Sequence, residues 1–194
     1  MKPISDTVSA NFISRELIKR EKVNIYLSPY IKYGSGARNI TGYVNGMYDK
    51  IIVSDKFPFF ILLNINYSGN EASKHAMAIA VTKNHGKYTV GLFDPNGKLG
   101  KGKVDTNIRG IIEGLAEKLN CKAFEYMHTN INTVEGPGNC DALSLWFIYC
   151  NKDNNTKTDI QEILAELLEL IKKFSIESIT KAINELITEM SKLK

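Results

Sequence analysis

Apolar positions along this chain recur at two different spacings, and the places where the spacing changes divide it into elements. In DTVSANFISRELIKRE, Val8, Phe12, Ile13, Leu17 and Ile18 return every three or four residues, with Asp6 or Thr7 available as a cap, which predicts a helix. VNIYL (23–27) reads as a short strand or bridge, and residues 33–50, rich in Gly, Asn and Tyr, read as loop with brief structure. FPFFILLNIN is a buried strand, bounded by Pro58 at its start and by YSGN after it. Two further strands, HAMAIAV (75–81) and YTVGLFD (88–94), flank the turn 82–87, and GKLGKGK (97–103) is a basic loop.

The helical period returns in IRGIIEGLAEKLN (108–120), where Ile108, Ile111, Ile112, Leu115 and Leu119 share one face. CKAFEYM is a strand and TNINTVEGPGN a loop. DALSLWFIYC (141–150) is apolar nearly all round, so a helix there belongs in the middle of the domain. After the polar NKDNNTKT, i, i+3, i+4 spacing predicts two amphipathic helices, about 159–173 and 176–193. The pattern has no internal repeat and no linker. It predicts one α+β domain over 1–194 with a helical C-terminal end.

Composition narrows the function classes. At 194 residues, 43% hydrophobic and 24% charged, the chain has the makings of an ordinary globular domain rather than a disordered one. A net charge of +4 is too mild to announce a nucleic-acid binder. The most apolar run, 57–65, falls far short of the roughly 20 residues of a spanning helix, so no membrane partner and no secretion signal are expected. The three cysteines, Cys121, Cys140 and Cys150, form no CxxC pair, which favours a reducing compartment. His75, His85 and His128 lie at no ligand spacing with them, so neither a metal nor another cofactor is expected.

Chemistry enters with the two strands. A two-residue loop at Asn84-His85 would set His75 directly opposite Asp94, on one face with Cβ atoms roughly 4.5–5.5 Å apart. A loop at His85-Gly86 would make Asp94 a diagonal neighbour, still within reach. Either way the carboxylate can accept an imidazole N–H and fix the ring's tautomer and direction. Such a pair is also a common structural feature of a sheet end, and Cys140 adds the missing part. It follows GPGN and opens the buried helix, where unpaired N–H groups and the positive dipole end favour negative charge and can face an oxyanion. Gly136, Pro137 and Gly138 permit a tight turn at which backbone approaches a substrate.

HAMAIAV, then GKYTVGLFDPNG, then VEGPGNCDALSLWF resemble the adenovirus-type maturation protease, adenain, and its clan of SUMO-specific and related viral proteases. That pattern is a His opening one strand, an acid closing the next within LF-acid-P-x-G, and a Cys opening a central helix after a Q-G-P-like loop. GMYDK (46–50) and KFP (56–58) extend the likeness, which covers about 46–150. The resemblance implies a papain-like fold in circularly permuted order, with a central helix on a small mixed sheet. It implies a thiol endopeptidase with Cys140 as nucleophile, His75 as general base and then acid, and Asp94 as its orienting carboxylate.

Three departures accompany the likeness. Ala76 stands where the family has Trp, Asp141 where it has Gly, and Glu135 where a Gln amide donates to the oxyanion. An ionised carboxylate cannot donate, so Asn132, Asn139 or backbone N–H groups are the alternatives to a protonated Glu135. The implied substrates are viral capsid or core precursors cut at Gly-containing sites, inside a virion or host cell. Lys98, Lys101 and Lys103 could offer a DNA contact, although a solvated lysine loop is the preferred reading of them. Three other readings stay open: a protease for ubiquitin-like modifiers, a catalytically dead binding module, and a DNA-binding structural protein.

Overall fold

The computed structural model describes residues 18–19, 22–32, 37–66, 74–96, 103–125 and 139–152. The predicted helix at 6–21, the two helices beyond 159, Asn132, Glu135 and His128 therefore lie outside the described residues, apart from a helical Ile18-Lys19.

The described chain runs β1 (Asn24–Leu27), β2 (Ile31–Lys32), α1 (Ala37–Ile52), β3 (Phe59–Asn66), β4 (Lys74–Asn84), β5 (Lys87–Phe93), α2 (Lys103–Lys118), β6 (Ala123–Glu125) and α3 (Asn139–Cys150). The strands form one mixed sheet in the order β1-β3-β4-β5-β6, with β2 also on β3. β3, β4 and β5 are antiparallel neighbours, whereas β1 and β2 on β3, and β6 on β5, are parallel. This is the α+β class that the sequence predicts, with a helix against a small mixed sheet.

Alternation along β4 explains the layering. Met77, Ile79 and Val81 join Ile61, Leu63, Val90 and Leu92 in a core that α1 and α2 cover with Val44, Met47, Ile51, Ile111 and Leu115. The intervening residues Ala76, Ala78 and Ala80 are equally buried but belong to the other face. Their small side chains leave room for α3, which packs across β4. Phe147 of α3 stacks on Phe93, with ring centroids 4.5 Å apart and planes within 7°. A helix nearly apolar all round is thus accommodated, and Leu145, Phe147 and Ile148 are all buried.

Three expectations need correction. Residues 37–52 are a helix rather than loop. Ile40, Tyr43, Val44, Met47, Tyr48 and Ile51 turn one face to the core, while Gly42 and Gly46 have open space where a Cβ would stand. Burial of that face outweighs the poor helix propensity of the glycines and asparagines. Helix α2 begins at Lys103, within the stretch expected as basic loop, while Lys98 and Lys101 lie outside the described residues. Its end is legible in the chain: Asn120 adopts φ 51°, and Cys121 N–H donates to Ala116 O at 2.9 Å, closing the helix with a left-handed cap. Third, β4 and β5 extend into the stretch 82–87 read as turn, and of the two loops expected it is the one at His85-Gly86 that forms. Asn84 pairs with Lys87, leaving His85 (φ 49°) and Gly86 (φ 80°) as a two-residue loop with both residues left-handed.

Candidate active site

That loop decides between the two hairpin registers. With Ala78 opposite Phe93, Asp94 is not the direct partner of His75 but its diagonal neighbour across the strand ends. The two side chains still meet: His75 Nε2 lies 2.8 Å from Asp94 Oδ1, within the range of a charge-assisted hydrogen bond. His75 is at the start of β4 and Asp94 follows the last residue of β5, so the antiparallel pairing brings both to one end of the sheet.

Asp94 is held by its own chain. Asn96 N–H donates to the same Oδ1 at 2.8 Å, the side-chain-to-backbone turn that an Asp makes with the residue two positions on. The Asn96 side-chain nitrogen lies 3.5 Å from His75 Nδ1 and 3.4 Å from Nε2. Sequence reasoning passed over Asn96. The signal was available in Asp-Pro-Asn, where an aspartate precedes a turn whose second following residue carries an N–H.

Helix α3 supplies the third group. Cys140 is the second residue of the helix, in the turn whose N–H groups have no intrahelical partner. It lies near enough to the His75 ring to help, after Asp94, to hold the imidazole in its protonated form. A second residue missed in the sequence explains the placement. Ser144, fully buried within an apolar run, donates its hydroxyl to Ala76 O at 3.2 Å. Cys140 and Ser144 are one helical turn apart on the same face, and Ala76 adjoins His75. One hydrogen bond therefore sets the register of helix on strand next to the Cys–His contact.

The three side chains share a dry environment. His75, Asp94 and Cys140 are 5%, 8% and 7% exposed, so water screens their interactions little. Burial by itself pushes an imidazole toward the neutral form. Here hydrogen bonds to Asp94 and Cys140, reinforced by their charges, override it and hold His75 at about 10, up from 6.5. At neutral pH the ring is protonated, with its Nε2–H directed to Asp94.

Of the residues singled out in the sequence, the structure brings together His75, Asp94 and Cys140. Asn139 opens α3, Cys121 is partly buried, and His85 sits at the hairpin tip. No cluster of His, Cys, Asp or Glu suited to a metal ion occurs among the described residues. No helix among them is long and apolar enough to cross a membrane.

No protein family matches the chain, and no curated protein does. Among solved structures, the ASFV pS273R protease superposes with a TM-score of 0.49 at 19% identity, over 82% of this chain and 61% of that one. The central domain of Lpg1148 from Legionella pneumophila gives 0.46 at 11% identity, over 92% and 97%. AvrA, in a delL154 form with IP6 and CoA, gives 0.44 at 13% identity, over 84% and 50%. The chain thus spans 61% of the pS273R protease and half of AvrA. All three TM-scores lie below 0.5, so these likenesses by themselves assign nothing to the chain.

Proposed function

We propose that this chain is a cysteine endopeptidase in the arrangement of the adenain and SUMO-protease clan, with Cys140, His75 and Asp94 as its catalytic residues. The observation that carries the reading is the meeting of three residues distant in sequence. The 2.8 Å His75–Asp94 bond at one sheet end, with Cys140 among the groups that raise the His75 pKa, supports it, in the chain order of the motifs that resemble that clan.

The chemistry follows from the proton's position. A Cys140 thiolate attacks the scissile carbonyl carbon, and the carbonyl electrons move onto oxygen. N–H groups in the first turn of α3 are the proposed donors to that oxyanion, with Asn139, Asn132 or Glu135 as further candidates. Collapse breaks the C–N bond as the His75 imidazolium gives its proton to the leaving amine, leaving a thioester. His75 then takes a proton from water, hydroxide adds to the thioester carbonyl, and collapse restores the Cys140 thiolate and releases a carboxylic acid that gives its proton to solvent. Asp94 keeps Nε2–H engaged throughout, so the other ring nitrogen faces the reacting atoms.

The expected substrates are viral structural precursors with Gly at the cleaved bond, as the resemblance implies. A peptide-library cleavage profile of the wild type beside Cys140→Ala tests this. Cleavage concentrated at Gly-containing sites and lost in the variant supports the reading. Reaction with ubiquitin-like probes alone reassigns the substrate, and no Cys140-dependent cleavage of either kind overturns it.

A further inference from the structure

We propose that Asn96 is a positioning residue for the His75–Asp94 pair, acting with its backbone on one member and with its side chain on the other; the catalytic consequence rests on the reading above. The backbone half is a direct contact: its N–H occupies Asp94 Oδ1 alongside the His75 Nε2–H, so the carboxylate cannot rotate without losing both donors.

The side-chain half follows from two nearly equal distances. The two ring nitrogens flank Cε1, and an amide nitrogen 3.5 and 3.4 Å from them cannot lie in the ring plane without colliding with that carbon. It must stand over the ring face. There it is poorly placed for a hydrogen bond, because the imidazole lone pairs and N–H bonds lie in the plane. What it supplies is cover. Asn96 is exposed while His75 is buried, so among the described residues the amide lies on the solvent side of the ring. Its two ends also suit both states of the ring, the oxygen facing an imidazolium and the N–H facing a neutral ring. In the related motif the residue after Cys-proximal His is a Trp, and here Ala76 provides no such wall. Asn96 approaches the ring from the turn that follows β5 instead.

Two variants separate covering from structure. Asn96→Ala keeps the backbone N–H and removes the cover, whereas Asn96→Asp keeps the shape and adds a negative charge. The readouts are exchange of the His75 Nε2 proton with water, followed by proton NMR, and the His75 titration. In Asn96→Ala the expected result is exchange faster by on the order of tenfold, with kcat lowered on the same scale and KM little changed, as for loss of one weak contact that matters in the transition state. In Asn96→Asp exchange stays slow and the His75 titration moves upward. Thermal unfolding should be unchanged in Asn96→Ala. An unchanged exchange rate in folded Asn96→Ala, or an unmoved titration in Asn96→Asp, overturns the proposal. Both can be read in a protein that cleaves nothing, so failure of the protease reading and failure of this one remain distinguishable.

Discussion

Replacing Asp94 by Asn leaves the shape of the site intact and removes one negative charge from beside a buried imidazole. Holding His75 at about 10 rather than 6.5 corresponds to about 5 kcal/mol in favour of the protonated ring, shared between Asp94 and Cys140 against the cost of burial. A single opposite charge at hydrogen-bonding distance accounts for roughly 1–3 pH units of such a shift. Asp94→Asn should therefore lower the His75 titration by that amount. Labelled histidine makes the assay direct, because the chain has only three and His85 lies on an exposed turn. The catalytic consequence has the same origin. The alkaline fall in kcat/KM, expected near pH 10 in the wild type as His75 loses its proton, should move down by the same interval, with kcat reduced about 10²-fold or more. Stability follows with a definite sign. A folded-state pKa above the unfolded one stabilises the fold fully below about 6.5, and the contribution disappears as pH climbs through about 10. The gap in unfolding free energy between wild type and variant should thus be widest just below pH 6.5, roughly 1–4 kcal/mol, and shrink toward pH 10. A wild-type His75 titrating near 6.5, or a variant that titrates like the wild type, refutes the reasoning.

Ser144→Ala should cost about 0.5–1.5 kcal/mol in chemical denaturation by removing the Ser144–Ala76 bond, and should lower kcat further than that loss of stability explains; an unaffected kcat would mean that the bond does not set the Cys140 position. Phe147→Ala removes a buried ring stacked on Phe93 and should destabilise by about 3–5 kcal/mol, whereas the exposed Val53→Ala should stay within about 0.5. His85→Asn should raise thermal stability slightly, by up to about 1 kcal/mol, because Asn-Gly fits a loop with two left-handed residues better than His-Gly; a loss would argue against the observed turn.

How much the sequence revealed depended on whether an element announces itself locally. β3 and β4 did, through short apolar runs bounded by turn residues, and α3 did, because the run 142–150, apolar but for Ser144 and the Tyr149 hydroxyl, belongs in the interior. Helix α1 stayed hidden because Gly42, Gly46 and two asparagines dilute its outer face, and its stability comes from packing on α2. There Gly114 allows Val44 to approach, with a Cβ at that position only 3.4 Å from the valine methyl. The hairpin register was ambiguous by one residue because His85 occupies a position where Asn is the recognisable signal. His75, Asp94 and Cys140 stood out as candidates from residue types and order. Asn96 and Ser144 were not, since each works through a backbone group or a buried hydroxyl that only tertiary placement reveals.

The central claim, that His75 activates Cys140, is tested most directly by alkylation. Wild type and His75→Gln would be treated with iodoacetamide at about pH 6.5, where an ordinary thiol reacts slowly, and Cys121, Cys140 and Cys150 followed by peptide mapping. The account predicts that Cys140 in the wild type is modified at least about tenfold faster than the other two, and that His75→Gln abolishes this advantage. Cys140 reacting no faster than Cys121 and Cys150, or reacting equally fast in both proteins, would contradict it.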